Sequence, residues 1–260
     1  MTALRDEPLT WTTIAALAPM AVALGALGVL TLASGDFAFQ WQPVPADTPA
    51  RGALAMATGG LEAATAVLLV PARLRAVGAW LAAAILLGWT ALHLPSVVRH
   101  PASIADWLGI AETAAMASAA LMFAAAWSGA AAAGAIRLFA TVVFGLSAIL
   151  FGVSHFAYAD FTASMIPAWL PQRVGLAYFT GAAHALAGLA ITFGVVRRLA
   201  AAMEALMMAL FVVLVHLPRV LASPGSRMEW TMLFVALLLS GSAAMVARLA
   251  DRRQATLSAD

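Results

Sequence analysis

"YFTGAAHALAGLAI", Tyr178 to Ile191, sets one imidazole in the middle of a run that is otherwise apolar, small or hydroxylated. The apolar context extends from Val174 to Val196, long enough to cross about 30 Å of hydrocarbon as a helix. A second stretch, "MATGGLEAATAVLL", Met56 to Leu69, aligns with it, placing Thr58 and Gly59 on Thr180 and Gly181 and Glu62 on His184. Read together, the two stretches predict a chain of membrane helices and a chain that repeats itself.

The composition agrees with the first reading. The 260 residues are 63% hydrophobic and 10% charged, and mean hydropathy is +0.94, against about 45 to 50% apolar and 25% charged in soluble domains. The lipid bilayer is the expected partner. All 14 basic residues are Arg and the net charge is +2, thinly spread, so no basic patch exists to track a phosphate backbone and nucleic acid is not an expected partner. The absence of Cys removes disulfides, thiolate metal sites and iron–sulfur clusters. The first apolar run, Trp11 to Ala33, exceeds the hydrophobic region of a signal peptide and predicts a retained helix.

Working outward, apolar segments run from Trp11 to Ala33, Gly52 to Val70, Val77 to Leu94, Ile104 to Ala126, Arg137 to Phe156, Val174 to Val196, Leu199 to Leu217 and Trp230 to Arg248. They predict an all-α polytopic protein of about eight spans, with breaks at the Pro and Arg of "QPVPADTP", "PARLR", "LPSVVRHP", "IPAWLP" and "LPRVLASPG". The repeat continues beyond its central pair. "GDFAFQWQPVP" matches "ADFTASMIPAWLP", putting Asp36 on Asp160, Phe37 on Phe161 and Pro43 on Pro167. "LHLPSVVRHPASIADW" matches "VHLPRVLASPGSRMEW", putting His93 on His216 and Trp107 on Trp230. The expected organisation is two like-oriented units of four helices, 1–133 and 134–260, related by a pseudo-two-fold along the membrane normal. Arg counting assigns nine to the termini and the even turns and five to the other loops, which predicts cytoplasmic termini. Trp41, Trp107, Trp169 and Trp230 are then expected in one aromatic belt on the far side.

Six titratable residues stand out as candidates. Glu62 and His184 lie about eleven residues into their helices, about 16 Å of rise from the end and near the midplane. A carboxylate there costs about 2.5 to 3.5 kcal/mol and must find a partner or carry its proton. A pseudo-two-fold would bring the two together as a proton relay or as a structural lock. His155, with an ordinary pKa of about 6.5, is present in the second unit alone and is the third candidate for handling protons. His93 and His216 each precede Leu-Pro; as a pair they invite a bis-His haem, but the simpler role is to cap the carbonyls that Pro leaves without donors. Glu112, two turns into its helix, has no such structural account and is expected to meet His93 or Arg99. Glu204 is explained by its closeness to a helix start and to Arg197 and Arg198. Asp36 and Asp160 read as loop caps. No phosphate loop, HExxH or Gly-x-Ser-x-Gly occurs.

"HFAYADFTASMIPAWLP", "YFTGAAHALAGLAI", "EALMMALFVVLVHLPRV" and "EWTMLFVALLLSGSAAMV" together resemble the DoxX-like family of small prokaryotic membrane proteins, over Phe144 to Val246. The first half resembles it more weakly, through "GGLEAATAVLL" and "HLPSVV", as in a fused duplicate. In that family one unit is a four-helix bundle, and the position of His184 is often Glu, as Glu62 is here. The resemblance implies a bacterial inner-membrane subunit or small enzyme of quinone-linked electron transfer, with quinone as the ligand, haem disfavoured and a redox enzyme as the partner. The parallel repeat itself suggests a different function, a path for a small solute between the halves; a purely structural anchor is the third.

Overall fold

The computed structural model describes residues 10–38, 41–128 and 131–250. Arg5, Arg252 and Arg253, which weigh in the sidedness count, lie outside the described residues. The protein is an all-α polytopic membrane protein. Its helices are α1 (Trp11–Ser34), α2 (Arg51–Leu68), α3 (Arg75–Arg99), α4 (Ile104–Ser128), α5 (Ala133–Ala157), the short α6 (Ala159–Met165), α7 (Arg173–Phe193), α8 (Arg197–Phe211), α9 (Leu217–Ala222) and α10 (Arg227–Leu249). A π-helical turn, Val212–His216, joins α8 to α9 in one rod. Among the described residues seven rods are long and apolar enough to cross a membrane. The eighth, α2, is 18 residues long, and Arg51, Glu62 and five Gly or Thr lower its hydropathy.

Two prolines expected to end helices do not. Pro95 lies inside α3, which continues to Arg99, and Pro218 lies one residue beyond the π turn. The Leu217 N–H reaches back five residues to the Val212 carbonyl. That wider turn gives room for a Pro ring that would otherwise strike the carbonyl of the preceding turn. His93 and His216 are therefore mid-rod residues rather than the last-turn caps the sequence suggested.

The helix contacts repeat. α1 packs on α2 and α10, α5 on α7 and α4, α3 on α4, and α8 on α10, while α4 packs on α10. Exchanging the first unit's four rods for the second's maps every one of these contacts onto another, and α4 with α10 onto itself. Small details follow the same exchange. The Trp107 indole donates to the Pro101 carbonyl and the Trp230 indole to the Pro224 carbonyl, both at 2.9 Å. Arg75 Nε donates to Leu69 O at 3.0 Å and Arg197 Nε to Ile191 O at 2.8 Å.

Close approach of helices requires glycine at matching places. A Cβ on Gly28 would meet Gly59 O at 2.6 Å, and one on Gly152 would meet Gly181 O at 2.6 Å. Each first helix thus lies against its successor with backbones in contact, the mode of packing that lipid favours because dispersion replaces the hydrophobic drive. The units are interlocked rather than side by side. The first rod of each rests on the last rod of the other, and α4 and α10 fill the seam, two-thirds of their most apolar windows being buried. α1 begins and α10 ends at one end of the bundle, where Arg248 Nε donates to Thr13 Oγ1 at 3.3 Å. α6 and the 35–50 loop lie at the other.

Candidate functional site

A cavity of about 260 Å³ lies within the second unit's α5, α6, α7, α8, π turn and α10, with α4 of the first unit closing one side. Ligand pockets run upward from about 300 Å³, so this one suits a single ring rather than a large molecule. Its walls are apolar, from Phe151, Met208, Phe211 and Leu239 among others, and its polar lining includes Glu112, His155, His184 and His216.

At the floor, His184 is 2% exposed and Glu204 1%. His184 Nδ1 lies 2.7 Å from Glu204 Oε1. The hairpin of α7 and α8 produces this pair: positions 184 and 204 are ten residues before and ten after Gly194, which closes α7 in the left-handed region at φ 81°. Equal distances from an antiparallel turn mean equal heights. The second oxygen of Glu204 is buried without a hydrogen-bond partner among the described residues. The role that sequence gave Glu204, a carboxylate near a helix start with Arg197 and Arg198 as neighbours, is corrected: it is a buried partner of His184. The signal was present in the spacing about Gly194, and the arginines beside it masked that signal.

His155 reaches the same floor from the last turn of α5. Its ring meets His184 edge-on at 5.0 Å between centroids and stacks on Phe211 at 6.0 Å. Its Nδ1 lies 2.9 Å from Thr180 Oγ1, and that hydroxyl also contacts the Leu176 and Ala177 carbonyls of its own helix at 2.9 and 3.1 Å. Toward the α6 end the cavity is lined by Glu112 of α4 and His216 of the π turn. His216 Nδ1 is buried and has no hydrogen-bond partner among the described residues. Glu112 has no hydrogen bond among the described residues. π turns concentrate at functional sites, and this one supplies a wall of the cavity.

Glu62 is elsewhere. It is fully buried, and its Oε1 accepts from Gln42 Nε2 at 3.0 Å and from Trp89 Nε1 at 2.9 Å. Gln42 Oε1 in turn accepts from the Ala38 N–H at 2.9 Å. Around this nest Phe37 meets Trp89 at 5.9 Å and Trp41 meets it at 6.4 Å. The expected pairing of Glu62 with His184 is therefore corrected. α2 and α7 do not pack on each other, because the exchange of halves runs along α4 and α10 and leaves each second rod on its own flank. Glu62 and His184 each find their partners within their own unit. His93 and His216 do not converge either. His93 packs against α4 at Gly109, where an added Cβ would fall 2.5 Å from the imidazole, and it does not line the cavity that His216 lines. Glu112 likewise faces this cavity rather than His93 or Arg99. No cluster of three potential metal ligands occurs among the described residues.

Two further expectations change at the α6 end. Trp41 is 3% exposed, so it belongs to the core and not to an aromatic belt. Asp160 sits in α6 without a hydrogen bond among the described residues, whereas Asp36 Oδ1 accepts from the Phe37 N–H at 2.8 Å and pairs with Arg51 Nε at 2.8 Å. These contacts, the backbone bond first, hold the Asp36 carboxyl below its ordinary pKa. Arg227 Nη2 donates to the Asp36 carbonyl and so ties the two units together at this end.

Comparison with known proteins touches only the second unit. Residues 144–227 match the model of a family described as Domain of unknown function (DUF8561). The match spans His155, Thr180, His184, Glu204 and His216 and leaves Glu112 outside. No curated protein and no solved structure matches the chain.

Proposed function

We propose that the chain is a membrane subunit of quinone-linked electron transfer that holds a quinone-type ring in the second-unit cavity. The observation that carries this reading is the buried His184–Glu204 pair, with His155 against it, at the floor of an apolar, ring-sized cavity. An ionisable group at membrane depth is expensive and is a functional-site hypothesis by default. A His joined to a carboxylate can take up one proton to become a net-neutral ion pair and give it back, so the pair can store a proton at this depth. Phe211 offers a flat face beside both imidazoles, and two polar groups lie at the other end of the cavity. The quinone ring, when bound, supplies the electron chemistry. The resemblance to DoxX-like proteins points the same way, and with this reading go an inner-membrane location, cytoplasmic termini and a redox enzyme as partner. A solute path between the halves is the weaker reading, because α4 and α10 close the seam with buried Ala, Ser and Met.

Native mass spectrometry of the detergent-extracted protein tests the proposal. The expected result is a bound species with the mass of an isoprenoid quinone or its reduced form, present in the wild type and lost in His184→Phe. Protein that carries neither form, and takes up neither when they are added, would refute it.

A further inference from the structure

The hydrogen bonds behind the cavity set which ring atoms it can accept. The Thr180 hydroxyl has a single proton, and the Leu176 and Ala177 carbonyls of its own helix lie at 2.9 and 3.1 Å, the usual destination of a mid-helix Thr. Its oxygen is then an acceptor toward His155, so His155 Nδ1 carries the proton and Nε2 holds a lone pair. His184 repeats the arrangement through a different partner. Its Nδ1 lies 2.7 Å from Glu204 Oε1; with the carboxyl ionised and the ring neutral, Nδ1–H donates to the carboxylate and the other ring nitrogen is left as an acceptor. Two neighbouring imidazoles thus bring lone pairs to the floor of one cavity, and neither finds a protein donor among the described residues.

The first unit shows what such a place requires. Glu62 occupies the position of His184, and its Oε1 receives two N–H donors, from Gln42 and Trp89, that the protein supplies itself. The repeat puts Met165 and Ile166 where Trp41 and Gln42 stand, and both Met165 and Ile166 line the cavity. Neither has a donor to offer. The place filled in one unit by an indole ring and an amide donor is, in the other, open space facing two acceptors.

We infer that the cavity selects a planar ring bearing hydroxyl donors, so that it binds the hydroquinone form in preference to the quinone. This rests on the proposed quinone function and deepens it. A quinone presents only carbonyl acceptors, which meet the two nitrogen lone pairs unfavourably; a hydroquinone presents O–H groups that satisfy them. The positioning residue is Thr180, which acts through the His155 tautomer and not by touching the ring.

The test uses the full chain in nanodiscs, without oxygen, and calorimetric titration with three ligands that share one ring and one short tail: a benzoquinone, its hydroquinone and the dimethyl ether of that hydroquinone. The expected result is hydroquinone binding about tenfold tighter than the quinone, as two hydrogen bonds of ordinary net strength would give, with no competition from the ether. In Thr180→Val, which frees the His155 ring to change tautomer and donate from Nε2, that preference falls to about threefold or less because quinone affinity rises; His155→Gln serves as a second variant should Thr180→Val fold poorly. Equal affinities, a preference for the quinone, or competition by the ether would overturn the inference while leaving ring binding intact. Failure of all three ligands to bind would overturn the quinone function itself, and the inference with it.

Discussion

The two units carry the same rods, the same glycine contacts and the same Arg and Trp anchors, yet their centres are built in opposite ways. In the first, the 35–50 loop turns inward: Phe37, Trp41 and Gln42 are buried, and the carboxyl of Glu62 is held by donors from its own unit. In the second, the matching segment forms α6, Phe161 is 67% exposed, and a cavity remains over His184. A duplicated scaffold can thus keep one copy as a packed support and leave the other open for a ligand. Polar residues at equivalent positions need not do equivalent work.

The sharpest way to break this contrast is at the buried pair. His184→Leu leaves Glu204 in the core without a partner and is expected to cost about 3 to 5 kcal/mol, read as a lower unfolding midpoint in detergent. Adding Glu204→Leu should restore most of that loss, since removing both members of a buried pair is far less costly than removing one. If the double variant is no more stable than the single one, the pair is not the source of the effect.

Next in size are the helix contacts the two units share. Gly28→Ala and Gly152→Ala each place a methyl against backbone atoms under 3 Å away and should each cost about 1 to 3 kcal/mol by overpacking. Closely similar values would fit one packing scheme used twice. A large difference, measured in the same detergent, would break the equivalence of α1 with α5.

Glu62 sharpens the contrast from the other side. Glu62→Gln keeps an oxygen that accepts from Gln42 and Trp89, so a loss under about 1 kcal/mol is expected, whereas Glu62→Leu strands two buried donors at about 1 to 3 kcal/mol each. Neither change should alter ligand binding in the second unit, measured by the same titrations. A variant of Glu62 that weakens binding would return it to the site.

The smallest effect belongs to Asp36. Its pKa is lowered in the fold, so its contribution to stability is present in full above the ordinary Asp value of about 3.9 and is lost as pH falls through the lower folded value. Asp36→Asn should therefore differ slightly from the wild type at neutral pH, and the two should converge in acid. Divergence toward low pH would contradict that sign.

Much of the architecture was legible along the chain, for a definite reason. A bilayer punishes any unpaired backbone, so long apolar runs have one outcome, the helix, and the repeat of Glu62 on His184 could be read by eye. Expectations failed where local rules met tertiary contacts, and two show why. Pro218 follows a π turn rather than ending a rod, and Glu204 faces a histidine rather than its neighbouring arginines. His184 was legible as a polar residue at membrane depth and His155 as a histidine that one unit alone carries, but Thr180 and Phe211, which orient and flank them, look like ordinary helix residues when read in line.

The sequence by itself determined the all-helical membrane fold, the count of rods to within one and the places where polarity enters the bilayer, because those follow from hydrophobic length and from local chemistry. Only the tertiary structure decided which polar groups meet. Partners such as His184 and Glu204, or Glu62 with Gln42 and Trp89, depend on the heights and rotations of separate rods, and the linear pattern leaves those open until the glycine contacts and the α4–α10 seam fix them.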